Sequence, residues 1–498
     1  MHELKEKMKE MCKKKKQYKI VACLLLLVLC FSLTSCGTEN AGTEKKQEGA
    51  DTTGFRVGFG RADITATESV PLQGFGNSLT RMSTGFLDYL YVDCVAITDE
   101  ADETVLLMAY DMCTLADERA TELQAAVMEA TGVPEDHIMV SASHTHSAPD
   151  LNSSDPSINR YMGQLKERSA KAALDALADR RQAEIEIATV NTEGLNFVRR
   201  YFAEDGTFVG SGTSVYYKSS APITRHETQA DGALQLMRFT RDGAKDILLS
   251  NWQTHPHREA NNKNYNMTSD ILGPYRDTVE KSLDCHVAYW SGASGNINPY
   301  TLVEAEKKAD SYPADYREQG RMLANYAIGA EGTYKKVKSG RIGLKKVMYA
   351  ATVNHSEDAA VNEAKKVQSV WSSTNDQVKA LAASDYPFTS PYHANAVVTR
   401  SKLAETMELK LTAVSVGDVA FVAAPYEMFD TNGMEIKEGS PYAMTFVLSL
   451  SNGNVGYIPS ALGFANGGYE PGNSRFVAGT GETLANQFVT MLKELHEK

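Results

Sequence analysis

The chain has 498 residues, 42% of them apolar and 23% charged, the composition of a packed globular protein of one large or two ordinary domains. Its net charge of −12 argues against a nucleic-acid partner, because phosphate backbones are held by clustered lysine and arginine.

In chain order, the first segment does not read as part of the fold. Residues 1–19 carry eight lysines against three glutamates, and an apolar run from Ile20 to Phe31 follows. That run is short for a membrane span and fits the core of a secretory signal peptide over residues 1–35. It ends in Leu33-Thr34-Ser35-Cys36-Gly37, which resembles the bacterial lipoprotein processing site, where a diacylglyceryl group is attached to the cysteine. An ordinary secretory signal is the plainer alternative. The lipoprotein reading places the chain in the bacterial cell envelope, outside the cytoplasm, with Cys36 as its lipid anchor to the membrane. Residues 36–54, rich in Gly, Thr, Glu and Lys, read as a disordered tether, leaving 55–498 as the folded domain. Beyond Cys36 only Cys94, Cys113 and Cys285 remain. Three thiols make no complete disulfide set, so buried free cysteines are expected.

From Phe55 the pattern alternates. Strands are predicted over 89–98, 104–110, 137–142, 247–253 and 286–291, with helices over 114–131, 158–181, 270–283 and 314–332. A further helix is predicted over 357–383. Strands at 407–416, 419–424 and 444–450 follow, with a helix from Tyr426 and a closing helix at 481–496. Residues 201–230, polar and rich in glycine and tyrosine, read as a long excursion. This alternation predicts an α/β fold: a single large domain with a mixed, largely parallel sheet flanked by helices.

Four ligand-capable residues lie at or just past the C-terminal ends of buried strands: His144, His255, Glu427 and Tyr457. In open α/β sheets that edge is where sites assemble. Two imidazoles, a carboxylate and a phenolate suit one zinc ion. The spacing alone does not fix the set. A lone His144-x-His146 pair is as readily explained by packing, His257 or His286 could replace His255, and a tyrosine is an uncommon zinc ligand. Asp270 reads either as a group orienting a ligand histidine or as a helix N-cap.

Ordered motifs narrow the choice. Gly60-Arg61-Ala62-Asp63-Ile64-Thr65, Leu72-Gln73-Gly74-Phe75-Gly76 and Ser143-His144-Thr145-His146-Ser147-Ala148-Pro149 occur in that order. Asn251-Trp252-Gln253-Thr254-His255-Pro256, Pro425-Tyr426-Glu427, Gly456-Tyr457-Ile458-Pro459 and Gly467-Gly468-Tyr469-Glu470 follow. From about Val57 to Leu495 the chain resembles the catalytic domain of the neutral/alkaline (non-lysosomal) ceramidases. The resemblance implies a zinc-dependent amidase that cleaves the N-acyl bond of ceramide or a related compound, with a zinc-activated water as the attacking group. It implies His144, His255, Glu427 and Tyr457 as the ligands of a single Zn2+. It implies His146 as general acid/base, Arg199 as a substrate contact and Tyr469 as a stabiliser of the oxyanion. One block departs from the family: Gly295-Asn296-Ile297-Asn298-Pro299-Tyr300 carries Asn298 where the family has serine and Asn296 where it has aspartate. A serine nucleophile is therefore not available there, though Asn298 can still donate a hydrogen bond to substrate. The chain also stops where the family's catalytic domain stops, without the C-terminal immunoglobulin-like domain.

Two other readings stand beside this one. The same zinc site could act on a small non-lipid amide or ester, or the chain could be a lipoprotein that binds a solute without chemistry. The two enzyme readings predict an N-acyl lipid or a small amide or ester as substrate, and a membrane reached through the N-terminal lipid anchor. The sequence does not set the oligomeric state.

Overall fold

The computed structural model describes residues 54–75, 78–211, 219–260, 265–338, 340–374 and 376–497. The signal segment, Cys36 and the tether up to residue 53 lie outside the described residues. Residues from Thr53 to the C-terminus form one compact unit. No helix among the described residues is long and apolar enough to cross a membrane.

Eight strands build the larger sheet: β1 (Phe55–Asp63), β2 (Tyr91–Thr98), β3 (Thr104–Tyr110), β4 (Ile138–Ala142), β5 (Arg181–Asn191), β6 (Ala233–Arg241), β7 (Ile247–Trp252) and β8 (His286–Ser291). They lie in the order β8-β7-β6-β5-β1-β2-β3-β4, and the short strand Lys335–Lys336 pairs with β5 outside this path. A second sheet follows in the chain, with β9 (Ile342–Thr352), β10 (Thr406–Val416), β11 (Val419–Ala423) and β12 (Met444–Leu448) in sequence order.

The two sheets pack face to face. Val57, Phe59, Val95, Ile97, Leu107, Met237 and Leu249 of the first meet Val414, Val416, Phe421, Phe446 and Leu448 of the second in one buried cluster. The alternate residues of β1 to β4, such as Cys94, Ala96, Leu106 and Met108, face the helices Asp117–Thr131 and Pro156–Ala178. Leu234, Leu236, Leu248 and Val287 face Leu272–Leu283 and Tyr316–Gly329, and the outer face of the second sheet is covered by Asp430–Gly439 and Thr480–His496. The result is four layers, helices outside and sheets inside, with side chains alternating faces at the period of two that a strand imposes.

Two local features show how the sequence sets this packing. Asp155 accepts the amide of Ser157 and Pro156 occupies the first turn, which starts the helix at that point. That helix crosses β1 so closely that a Cβ on Gly58 or Gly60 would lie 2.0 or 2.1 Å from the carbonyl oxygens of Ala176 and Ala172. Only glycine permits that approach.

The sheet is mixed, as expected, but it is not largely parallel: only the β3/β4 and β7/β8 pairings are parallel. The connections 99–103 and 242–246 are too short for a crossover and force antiparallel neighbours. β5, which joins the two halves, alternates exposed and buried residues and carries Arg181, Glu184 and Glu186, so it lacks the apolar run that marks a buried strand. The helix expected over 357–383 is two, Asp358–Thr374 and Gln377–Leu381, with Asp376 capping the second. The helix expected from Tyr426 starts at Asp430, because Glu427–Met428 is a short strand. Cys94, Cys113 and Cys285 are buried free thiols.

Candidate metal centre

The strand ends of the two sheets are stitched together at one place. Asn251, near the end of β7, donates from Nδ2 to the carbonyls of Trp290 and Val447, both at 3.1 Å. The amide of Ser449 donates to Ser291 O at 3.2 Å. The chain segments leaving β4, β7, β11 and β12 therefore converge on one volume.

His144 leaves β4 in the left-handed region at φ 71°, a conformation that a non-glycine residue holds only where its surroundings enforce it. Its amide donates to Met112 O at 2.9 Å, and its Nδ1 lies 2.8 Å from Cys113 O. A proton on Nδ1 satisfies that carbonyl and leaves Nε2 facing the centre, able to bind a metal once it has released its own proton. His255 follows β7, and the lone pair of its Nε2 accepts from Arg199 Nη1 at 3.1 Å, so this nitrogen would hold a metal only with that donor turned aside. Glu427–Met428 pairs in parallel with Tyr457–Ile458, which places Glu427 and Tyr457 in register as neighbours.

Glu427 Oε2 lies 3.3 Å from His144 Nε2 and 3.5 Å from His255 Nε2. Those three side chains form a buried group whose ligand atoms all lie within 4.8 Å and could hold a metal ion. Although both imidazoles are near, Glu427 Oε2 makes no hydrogen bond and is buried. A buried ionised carboxylate oxygen is costly without positive charge beside it, which a metal ion between the three groups, or otherwise a proton on the facing His144, would supply. Tyr457, the fourth residue of the expected set, lies in register beside Glu427. Burial, together with the nearby Glu427 carboxylate, pushes its phenol well above the usual range, while Arg199 opposes the shift. The donor set, two imidazole nitrogens with a carboxylate and a phenol oxygen, fits zinc. Burial opposes charge on His144, but the facing Glu427 outweighs it and pushes this imidazole up to about 10.

The other predicted residues surround this group. His146 Nε2 lies 3.4 Å from His144 Nε2, and its Nδ1 is buried without a hydrogen-bond partner. Burial, with His144, His257 and His255 beside it, holds His146 well below the usual histidine range, so at neutral pH it is uncharged. Its backbone is fixed: Arg81 Nη2 donates to its carbonyl at 3.0 Å and its amide donates to Pro256 O at 3.1 Å. Arg199 donates from Nη2 to Tyr457 Oη at 3.1 Å and to Gly295 O at 2.9 Å. The ring of Tyr469 stands 5.8 Å from that of Tyr457. Asn298 sits opposite Phe197 in a two-stranded ribbon that also carries Arg199, and its Oδ1 accepts from His257 Nε2 at 3.0 Å. Asn296 turns away and holds Asp430, accepting its amide at 2.9 Å and donating to its carboxylate at 2.6 Å.

Three sequence alternatives resolve differently. Asp270 touches no histidine: its carboxylate accepts the amides of Glu259 at 2.8 Å and Ile271 at 2.9 Å, fixing the loop that follows His257. His286 stacks on Phe59 at 4.5 Å on the sheet, remote from the group. His257 lies beside it, 5.1 Å from His146 by ring centres, but its Nε2 is taken by Asn298.

Sequence reasoning missed several contributors. Glu470 is buried between Arg199 Nε at 2.8 Å and Arg200 Nη1 at 3.0 Å, and Arg200 also pairs with Glu227 at 2.6 Å. This chain of two arginines and two glutamates is neutral overall and sets the angle of the Arg199 guanidinium. Its members are separated by up to 271 residues, so no local pattern announces it. Cys113, whose carbonyl orients His144, also brings its thiol to 3.9 Å from that ring. The glycine-rich turn does carry a signal: a Cβ on Gly74 would lie 2.4 Å from His146 Cβ.

No protein-family model and no curated protein sequence matches this chain. Solved structures do match in fold. A ceramidase complexed with C2 superposes with a TM-score of 0.66 over 89% of this chain and 76% of its own, at 15% identity. Neutral ceramidase from Pseudomonas aeruginosa gives 0.67 over 89% and 75%, at 16% identity. The chain thus has the fold of the neutral ceramidases.

Proposed function

We propose that the chain is a zinc-dependent amidohydrolase that cleaves the N-acyl bond of ceramide or a related N-acylated compound. The observation that carries this reading is the buried group of His144, His255 and Glu427 with Tyr457 in register, on a fold shared with ceramidases. His144, His255, Glu427 and Tyr457 would hold the zinc, which supplies charge for polarising an acyl carbonyl and for acidifying a water nucleophile.

The chain's own residues perform the remaining steps. His146, uncharged and at 3.4 Å from a ligand nitrogen, accepts the proton of the attacking water and returns it to the leaving amine. Arg199 and Tyr469, both beside Tyr457, would donate to the charge that develops on the acyl oxygen, and donors fixed before reaction need no reorganisation there. Asn298 offers its amide to substrate and has no hydroxyl for a covalent route. The lipoprotein-like segment at Leu33–Gly37 supports an envelope location with Cys36 as lipid anchor, ahead of a domain from residue 55.

Hydrolysis of ceramide should be measured beside short N-acyl amino acids and simple esters. Turnover of ceramide above the others is expected; activity on esters alone, or none on any amide, refutes the reading.

A further inference from the structure

One large element takes no part in the chemistry above. Between β9 and β10 the chain leaves the second sheet over residues 353–405 and builds a helical lobe of Asp358–Thr374, Gln377–Leu381 and Pro391–Arg400. The lobe has its own small core around Val361, Val367, Phe388 and Val397. It packs against the short helix Tyr469–Asn473. Arg400 Nη1 donates to Ser474 O at 2.9 Å and Gly472 O at 3.3 Å, and a Cβ on Gly472 would lie 3.0 Å from the His393 ring. The lobe therefore abuts the helix whose first residue is Tyr469.

Across this junction four aromatic rings stand in series. Tyr457 to Tyr469 is 5.8 Å between ring centres, Tyr469 to Tyr392 is 6.4 Å, and Tyr392 to Trp371 is 5.3 Å. All four residues are half-buried. The row begins beside the candidate metal group and ends on the lobe, and partly exposed aromatic surface gains free energy when hydrocarbon covers it. The other two tryptophans, Trp252 and Trp290, are fully buried in the sheet core, so Trp371 is the exception.

We propose that Tyr392 and Trp371 form the outer wall of a path for the apolar chain attached to the scissile amide. The lobe thereby sets chain-length selectivity. This rests on the amidohydrolase reading, and it commits the substrate to a long hydrocarbon chain, because a small amide would not reach past Tyr469.

The test uses the full chain and two readouts. In the first, kcat/KM is measured on N-acyl amides from acetyl to palmitoyl, for wild type and for Trp371→Ala and Tyr392→Ala. Losing contact with a few methylenes should cost about tenfold or more on the palmitoyl substrate, through KM, and leave the acetyl substrate unchanged. In the second, palmitate is added and the emission of Trp371 followed. A blue shift is expected with palmitate and none with acetate, and Tyr392→Ala should weaken it. Equal losses on short and long substrates overturn the proposal, as does emission indifferent to palmitate. If no amide is cleaved but palmitate still shifts Trp371, the path stands and the amidohydrolase reading falls.

Discussion

Gly74→Ala tests the separation of proton transfer from metal binding without replacing either histidine. Gly74 has φ 121°, where an L side chain costs about 1–3 kcal/mol of backbone strain. The new Cβ would stand 2.4 Å from Cβ, 2.5 Å from Cγ and 2.8 Å from Cα of His146. Carbon atoms settle at about 3.5–4 Å, so one partner must give way by about 1 Å. The His146 backbone is tied at both its amide and its carbonyl, by Pro256 and Arg81, so the imidazole and the 72–75 turn absorb the shift. A misplacement of about 1 Å at a reacting group costs about a hundredfold in rate. His144 is held from the opposite side by Met112 O and Cys113 O and should not move. Rate and metal content should be measured together on folded protein. A hundredfold loss of kcat with unchanged metal is expected. Full activity, or loss of the metal, refutes the assignment of His146 as the proton carrier.

Other consequences follow from the same geometry. Glu470→Gln removes one carboxylate from between two buried arginines, so urea unfolding should show a loss of about 3 kcal/mol or more; an unchanged midpoint contradicts the ion chain described above. Glu427 holds His144 protonated well above neutral, so metal uptake at pH 8 should release a proton into weakly buffered solution; no release contradicts the pairing of the two. His257 is held at about 3 by burial and then by Arg199, against about 6.5 when unfolded. Below about 6.5 the unfolded chain binds a proton that the fold refuses, so stability falls by up to about 1.4 kcal/mol per pH unit as pH drops towards 3. His257→Phe should flatten that part of the stability profile, and an identical profile counts against it.

Strands buried on both faces were the most legible part of the fold. Both strands, 104–110 and 286–291, carry an apolar run (Val105–Tyr110 and Val287–Trp290) and match the expected bounds. The same property hid the second sheet, because a continuous apolar run such as Val419–Ala423 does not say which sheet it joins. β5 and β6 escaped because their charged and polar residues alternate with the core set, and their absence from the sequence reading made the sheet look parallel. At the site, strand-end position drew attention to His144, His255, Glu427 and Tyr457, and the structure gathers these four. The Arg199–Glu470–Arg200–Glu227 chain was invisible, because each pair is made only when distant segments fold together. Asp270 was ambiguous because a buried aspartate beside a helix start serves a loop amide as readily as an imidazole.

The proposed chemistry divides the labour unequally, with His144 on the metal and His146 on the proton. Zinc content of the purified wild type, His144→Ala and His146→Ala tests it directly. One zinc per chain in wild type and in His146→Ala, with the latter about a hundredfold slower, and none in His144→Ala is the predicted result. Wild type without stoichiometric metal, or metal lost from His146→Ala and kept by His144→Ala, would contradict it.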